Sequence, residues 1–388
     1  RAKRLNGQLW YEIDDIQDLD IASSMFAQDP DLRVSLMQGR YGGYWRYPKM
    51  LDFCYLVNPY FPNKKLIDEM QANFQTLLTQ YPSGMHINSL IAAKNFGLKE
   101  PQIIVGNGAA ELIKSLMEKL TGKIGVLHPS FEEYANRRKA EDLVPFVCQN
   151  PDYTYTADEL MEFYDKTDIK NLLIVNPDNP SGNYIPKADV IRLIAWAKQR
   201  SIKLVIDESF VDFVDMEENT TLLEQSLLNS NPHLYVVKSI SKSYGVPGLR
   251  LGILASGDAE AIATMKKDVA IWNINSFAEF YMQIYEKYKS AYAAGLTRFY
   301  QTRKKFIEDL SEISFLRVIP SQANYVLCEI TKDYTSTELT TILLENNILI
   351  KDLSTKKGFE EKQYVRIAVR DEEDNQMLIF ALKALLLK

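Results

Sequence analysis

The spacing of hydrophobic positions changes character along the chain. Between about residues 100 and 260, short apolar runs alternate with stretches whose apolar residues recur at helical spacing. The runs Ile103–Val105, Lys123–Leu127, Asn171–Val175, Leu204–Ile206, Leu234–Val237 and Leu251–Ala255 are rich in Val, Ile and Leu and predict buried strands. Helical spacing predicts helices over about Ala109–Leu120, Glu132–Ala140 and Ala188–Arg200. Strands alternating with helices predict a three-layer α/β fold around a mostly parallel central sheet. In such sheets ligands sit at the carboxyl ends of the strands. After about Trp272 the helical pattern lengthens, and Phe277–Leu310 reads as one or two long helices. The remainder mixes strands and helices and ends in an apolar helix, Asp374–Leu387. The shift predicts a large domain over residues 66–274 and a smaller α+β domain over 275–388, preceded by an arm over 29–65.

Composition narrows the class. The 388 residues are 46% hydrophobic and 25% charged, a globular profile long enough for two cores. Net charge is −6 with no basic block, so nucleic acid is not an expected partner. Cys54, Cys148 and Cys328 form no paired motif, and His86, His128 and His233 are scattered. Neither a disulfide framework nor a metal site is expected, and a cytoplasmic setting fits. No apolar run approaches the roughly 18 residues of a membrane span, and no signal-peptide pattern is present. The first residue is Arg1, which reads as a processed chain or a piece of a longer one.

Five polar clusters stand out, several of them at strand ends. The first is Ser239-Ile240-Ser241-Lys242-Ser243-Tyr244-Gly245, followed by Pro247-Gly248-Leu249-Arg250. A lone lysine after a strand is ordinarily a solvated surface residue. Here two serine hydroxyls and an arginine accompany it, a set that suits a phosphate. Low dielectric or a nearby cation would lower the amine's pKa enough for nucleophilic work. The second is Gly106-Asn107-Gly108-Ala109-Ala110-Glu111, a turn into a helix whose backbone N–H groups can hold an anion. The third, Asn176-Pro177-Asp178-Asn179-Pro180-Ser181-Gly182, is a plain turn or a rigidly held amide. In the fourth, Asp207-Glu208-Ser209-Phe210, a carboxylate ends a buried strand and needs a partner, a salt bridge or a pyridinium nitrogen. In the fifth, Tyr364-Val365-Arg366-Ile367-Ala368-Val369, the arginine either faces solvent or clamps a carboxylate.

In this order and combination, from about residue 38 to the end, the clusters resemble fold-type I pyridoxal 5′-phosphate enzymes of the class I/II aminotransferase group. The likeness is strongest to histidinol-phosphate aminotransferase and L-threonine-phosphate decarboxylase. The resemblance implies that Lys242 holds the cofactor covalently and moves the proton. It implies that Asp207 pairs with the pyridine nitrogen and Asn179 with the phenolic oxygen. Ala109, Ala110, Ser239, Ser241 and Arg250 would hold the phosphate, and Phe131 would stack on the ring. Tyr81 would reach the cofactor of a second copy, implying a homodimer. Asn58, Lys351 and Arg366 would meet the substrate, Arg366 at its carboxylate.

Three positions depart from the pattern. Phe210 stands where aminotransferases commonly carry Tyr, and is more like the decarboxylases. Tyr41-Gly42-Gly43 replaces a decarboxylase His-Gly-Gly, and Lys351 replaces an arginine associated with substrate phosphate or carboxylate. Transamination of an amino acid or phosphorylated amine is the first expectation, and decarboxylation of a phospho-amino acid the alternative. A PLP-sensing regulator would need a DNA-binding segment, which the pattern lacks. The opening residues, Gln8 to Leu19, resemble the closing segment of a nucleotidyltransferase. They make residues 1–28 the expected tail of such a domain, or a linker, and imply a fusion.

Overall fold

A computed structural model describes residues 10–47, 49–216, 219–359 and 362–386. The opening segment therefore lies outside the described residues up to Leu9.

The central sheet has seven strands: β1 (Ile103–Asn107), β2 (Ile124–His128), β3 (Leu143–Val147), β4 (Asn171–Val175), β5 (Lys203–Asp207), β6 (Leu234–Ser239) and β7 (Leu251–Ser256). Their spatial order is β1-β7-β6-β5-β4-β2-β3. Only β7 runs against the others, pairing antiparallel with both β1 and β6. Every residue of β4, β6 and β7 is buried, as expected of strands covered on both faces by helices. The helix Ala109–Lys119 covers one face with Leu112, Ile113, Leu116 and Met117. The helix Lys187–Gln199 covers the other with Val190, Leu193 and Ile194.

One predicted element is absent and one was not foreseen. The stretch expected as a helix over Glu132–Ala140 forms only short 3-10 turns, Ala135–Arg137 and Ala140–Asp142. Its good helix formers surround one apolar anchor, the fully buried Tyr134, so a regular helix would have no apolar stripe to bury. Immediately after it, β3 pairs parallel with β2 despite Pro145. Proline breaks a central strand, but β3 lies at the sheet edge, where its missing N–H is tolerated.

The later chain forms the helix Ser276–Ile284, a 3-10 turn, and the long helix Lys289–Ser311. A four-stranded antiparallel sheet follows: β8 (Leu316–Val318), β9 (Tyr325–Ile330), β10 (Lys351–Asp352) and β11 (Tyr364–Ala368), in the order β10-β11-β9-β8. The last helix is Glu372–Leu385. Early residues close this half. Leu51–Asp52 pairs parallel with Ile348–Leu349, and Phe53 and Leu56 enter the core around Phe306, Tyr325 and Ile367. The helix Ile16–Met25 buries Ile21 and Met25 against Leu344 and Leu349.

Candidate active site

The carboxyl ends of β1, β4, β5 and β6 converge on a cavity of about 310 Å³, the low end of the range for small-molecule sites. At one end, Ala109 and Ala110 begin an eleven-residue helix whose free N–H groups favour an anion. Gly108 precedes them at φ +73°, and a Cβ there would lie 2.6 Å from the Arg250 guanidinium. Arg250 itself holds a left-handed backbone, and its carbonyl accepts from the Gly108 N–H at 2.7 Å. Ser239 and Ser241 complete this end. The Ser241 hydroxyl is buried with no partner in the protein, as expected of a donor meant for a ligand.

At the other end Asp207 is 2% exposed. Its Oδ2 accepts from the Tyr134 hydroxyl at 2.8 Å and its Oδ1 from the Ser209 N–H at 2.9 Å and the Ser209 hydroxyl. Burial pushes the carboxyl up, while Ser209, Tyr134 and the Lys242 charge pull it down. Lys242 faces the cavity between the two ends. Desolvation, reinforced by Arg366 and Arg250, lowers its ammonium to about 8, against a weaker pull from Asp207. Beside it lies the Phe210 ring, with Nζ 6.0 Å from the centroid.

Phe131 stands at the cavity, edge-on to Tyr134 at 6.3 Å. Asn179 lines it too, and its Oδ1 accepts from Arg366 Nη1 at 2.8 Å. Arg366 reaches in from β11, and its Nε is buried without a partner. Burial lowers its pKa from the usual arginine value.

Ten of the residues singled out by sequence thus share one cavity: Ala109, Ala110, Phe131, Asn179, Asp207, Ser239, Ser241, Lys242, Arg250 and Arg366. Three do not line it. Asn58 lies behind the cavity wall, against the backbone that follows Lys242. Its amide donates to the Ser243 carbonyl at 2.9 Å and its oxygen accepts from the Tyr60 N–H, so both ends of the side chain brace the backbone. Tyr81 is 77% exposed and stacks on Trp272 at 4.4 Å, on a surface groove that shares no lining residue with the cavity. Lys351 lies directly opposite Arg366 on the neighbouring strand, which puts both on one sheet face. Sequence reasoning missed Tyr134, Ser209 and Cys54. Ser209 had a signal, its position two residues after Asp207, where side-chain-to-backbone turns form. Tyr134 and Cys54 had none, because long-range packing brings them in. Among the described residues no cluster of His, Cys, Asp and Glu could hold a metal ion, and no helix is long and apolar enough to cross a membrane.

A phosphate cradle, a lysine of lowered pKa and a buried carboxylate around one cavity fit the phosphate, aldehyde and ring nitrogen of pyridoxal 5′-phosphate. Fold and site together define a cofactor-dependent enzyme of fold type I. The family model for aminotransferase class I and II matches residues 50–382, and the chain belongs to that family. It is 30% identical over 382 residues to CMP-5′-(3-aminopropyl)phosphonate synthase of Streptomyces rubellomurinus, covering 98% of this chain and 60% of the relative. The chain thus spans less than two thirds of that relative's length. It is 30% identical to L-serine phosphate decarboxylase of Sulfurospirillum multivorans over 87% of this chain and 88% of the relative. Among solved structures, a decarboxylase from Sulfurospirillum multivorans superposes with a TM-score of 0.81 at 25% identity, covering 95% of this chain and 98% of that one. The histidinol-phosphate aminotransferase from Clostridium acetobutylicum gives 0.76 at 27%, covering 87% and 99%. The synthase and the serine phosphate decarboxylase favour the decarboxylase alternative over the transamination placed first from sequence.

Proposed function

We propose that the chain decarboxylates, at Cα, a small amino acid that carries a phosphate or phosphonate. The observation that carries this reading is the pairing of Lys351 with Arg366. Both charges act on Cys54 of the cavity wall. Among the described residues no carboxylate pairs with Lys351. With Arg250 engaged by the cofactor phosphate, two cations remain beside the cavity. Two cations suit a substrate with two anionic groups, a carboxylate and a phosphoryl group.

When bound, the cofactor would supply an aldehyde for the substrate amine and a ring able to accept the electron pair released at Cα. Asp207 would pair with the ring nitrogen of the bound cofactor; burial raises its carboxyl, and the Ser209 and Tyr134 donors work against that shift. Arg366 and Lys351 would fix the substrate's anions and so decide which Cα bond is broken. Phe210 presents an apolar face beside Lys242. A carboxylate bond broken next to that face gains from leaving water, because its charge disperses as the bond breaks. Lys242, neutral above about pH 8, takes the proton of the incoming amine and returns one to Cα.

The decarboxylase matches from Sulfurospirillum multivorans support the same chemistry. Restoring a carboxylate to the amine-bearing carbon of 3-aminopropylphosphonate gives 2-amino-4-phosphonobutyrate, which belongs to the proposed substrate class. An attached nucleotidyl-transfer step, expected from the opening residues, is part of this proposal. The test is a panel of O-phospho-L-serine, O-phospho-L-threonine and 2-amino-4-phosphonobutyrate beside L-serine and L-threonine. Phosphorylated or phosphonylated members should release CO₂ and the unsubstituted ones should not. Equal turnover of L-serine and its phosphate would reject the second anion.

A further inference from the structure

The turn that carries Lys242, residues 240–244, is neither helix nor strand. Its geometry therefore depends on what holds it from behind. Lys238, four residues earlier in the fully buried β6, is 2% exposed. A buried ammonium is costly without a partner, and it donates to Asp212 Oδ1 at 2.6 Å. The other carboxylate oxygen accepts from the Ser243 hydroxyl at 2.5 Å, and Ser243 is fully buried beside Lys242. Asp212 is fixed in turn by its own carbonyl, which accepts from Tyr300 of the long helix at 2.9 Å. Asn58 closes the clamp. Its amide holds the Ser243 carbonyl, and its backbone N–H holds the Lys242 carbonyl at 3.0 Å. Asp212, Lys238 and Ser243 do not line the cavity.

We propose that Asp212 and Ser243 are positioning residues. With Lys238 neutralising Asp212, they hold the Lys242 backbone so that its amine meets the cofactor aldehyde. The proposal rests on the assignment of Lys242 as the residue that captures the cofactor. Capture condenses the amine with the aldehyde and releases one water. The alternative is that the ion pair only stabilises the fold.

The two are separated by comparing pyridoxal 5′-phosphate with pyridoxine 5′-phosphate, an alcohol that fills the same cradle but cannot condense. The ratio of their dissociation constants reports the alignment of the lysine. Ser243→Ala should reduce the wild-type preference for the aldehyde about tenfold, the equivalent of one buried hydrogen bond. Affinity for the alcohol should stay within about twofold, since the phosphate cradle is untouched. A Lys238→Met/Asp212→Leu double variant fills the same space without a buried charge and should show the same loss. Lys242→Ala should bring the ratio close to one. Wild-type ratios in both Ser243→Ala and the double variant would overturn the brace. An unchanged ratio in Lys242→Ala would instead remove the lysine assignment, and the brace with it.

Discussion

At the scale of single residues, Lys242 shows how environment changes a side chain's chemistry. An exposed lysine is a cation at neutral pH, but burial and two arginines bring this one to about 8. The sign of the pH dependence follows. A folded-state amine must lose its proton before it can attack, so capture of pyridoxal 5′-phosphate should be slow below pH 7. It should rise through pH 8 and level off above it. Stopped-flow absorbance at a series of pH values checks this. Arg366→Gln removes a neighbouring positive charge that lowers the amine, so the midpoint should move to higher pH. Asp207→Asn keeps the shape of the buried acid but not its charge. It should lower turnover on the order of a hundredfold while the cofactor still binds.

At the scale of elements, the site is built from strand ends, and that explains how much of it was legible. The segments Ser239–Arg250, Asn176–Gly182 and Asp207–Phe210 each place a polar cluster directly after an apolar strand, and all three converge where strand ends must. Gly108 was readable as a turn, but its role is spatial: it leaves room for Arg250, 142 residues later in a neighbouring strand connection. Gly108→Ala should therefore weaken cofactor binding about tenfold by displacing that guanidinium and straining a left-handed backbone. Equilibrium dialysis measures it. What sequence could not give are the contacts between distant segments. Tyr134 reaches Asp207 across 73 positions, and Asn58 reaches Ser243 across 185. Local pattern misled at Pro145, whose presence argues against a strand unless the strand's place at the sheet edge is known. It misled again at Glu132–Ala140, where helix formers lack an apolar face.

At the scale of the molecule, the two ends of the chain fold together. Ile21 is fully buried against residues more than 300 positions later, so Ile21→Ala should lower unfolding free energy by about 2–5 kcal/mol in urea titrations. Cofactor affinity should change by less than about twofold, because Ile21 itself does not line the cavity. The expected homodimer belongs to this scale as well. Tyr81 and Trp272 stack on a surface groove of about 770 Å³. Sedimentation at twice the chain's 44.6 kDa, lost in Trp272→Glu, would support pairing there. All these features serve one chemical outcome, the bond broken at Cα. The direct measurement is turnover of O-phospho-L-serine in ²H₂O with CO₂ and product mass followed together. The account predicts one CO₂ per substrate consumed and an amine bearing one deuterium on the carbon that lost its carboxylate. Keto-acid formation without CO₂ would contradict it.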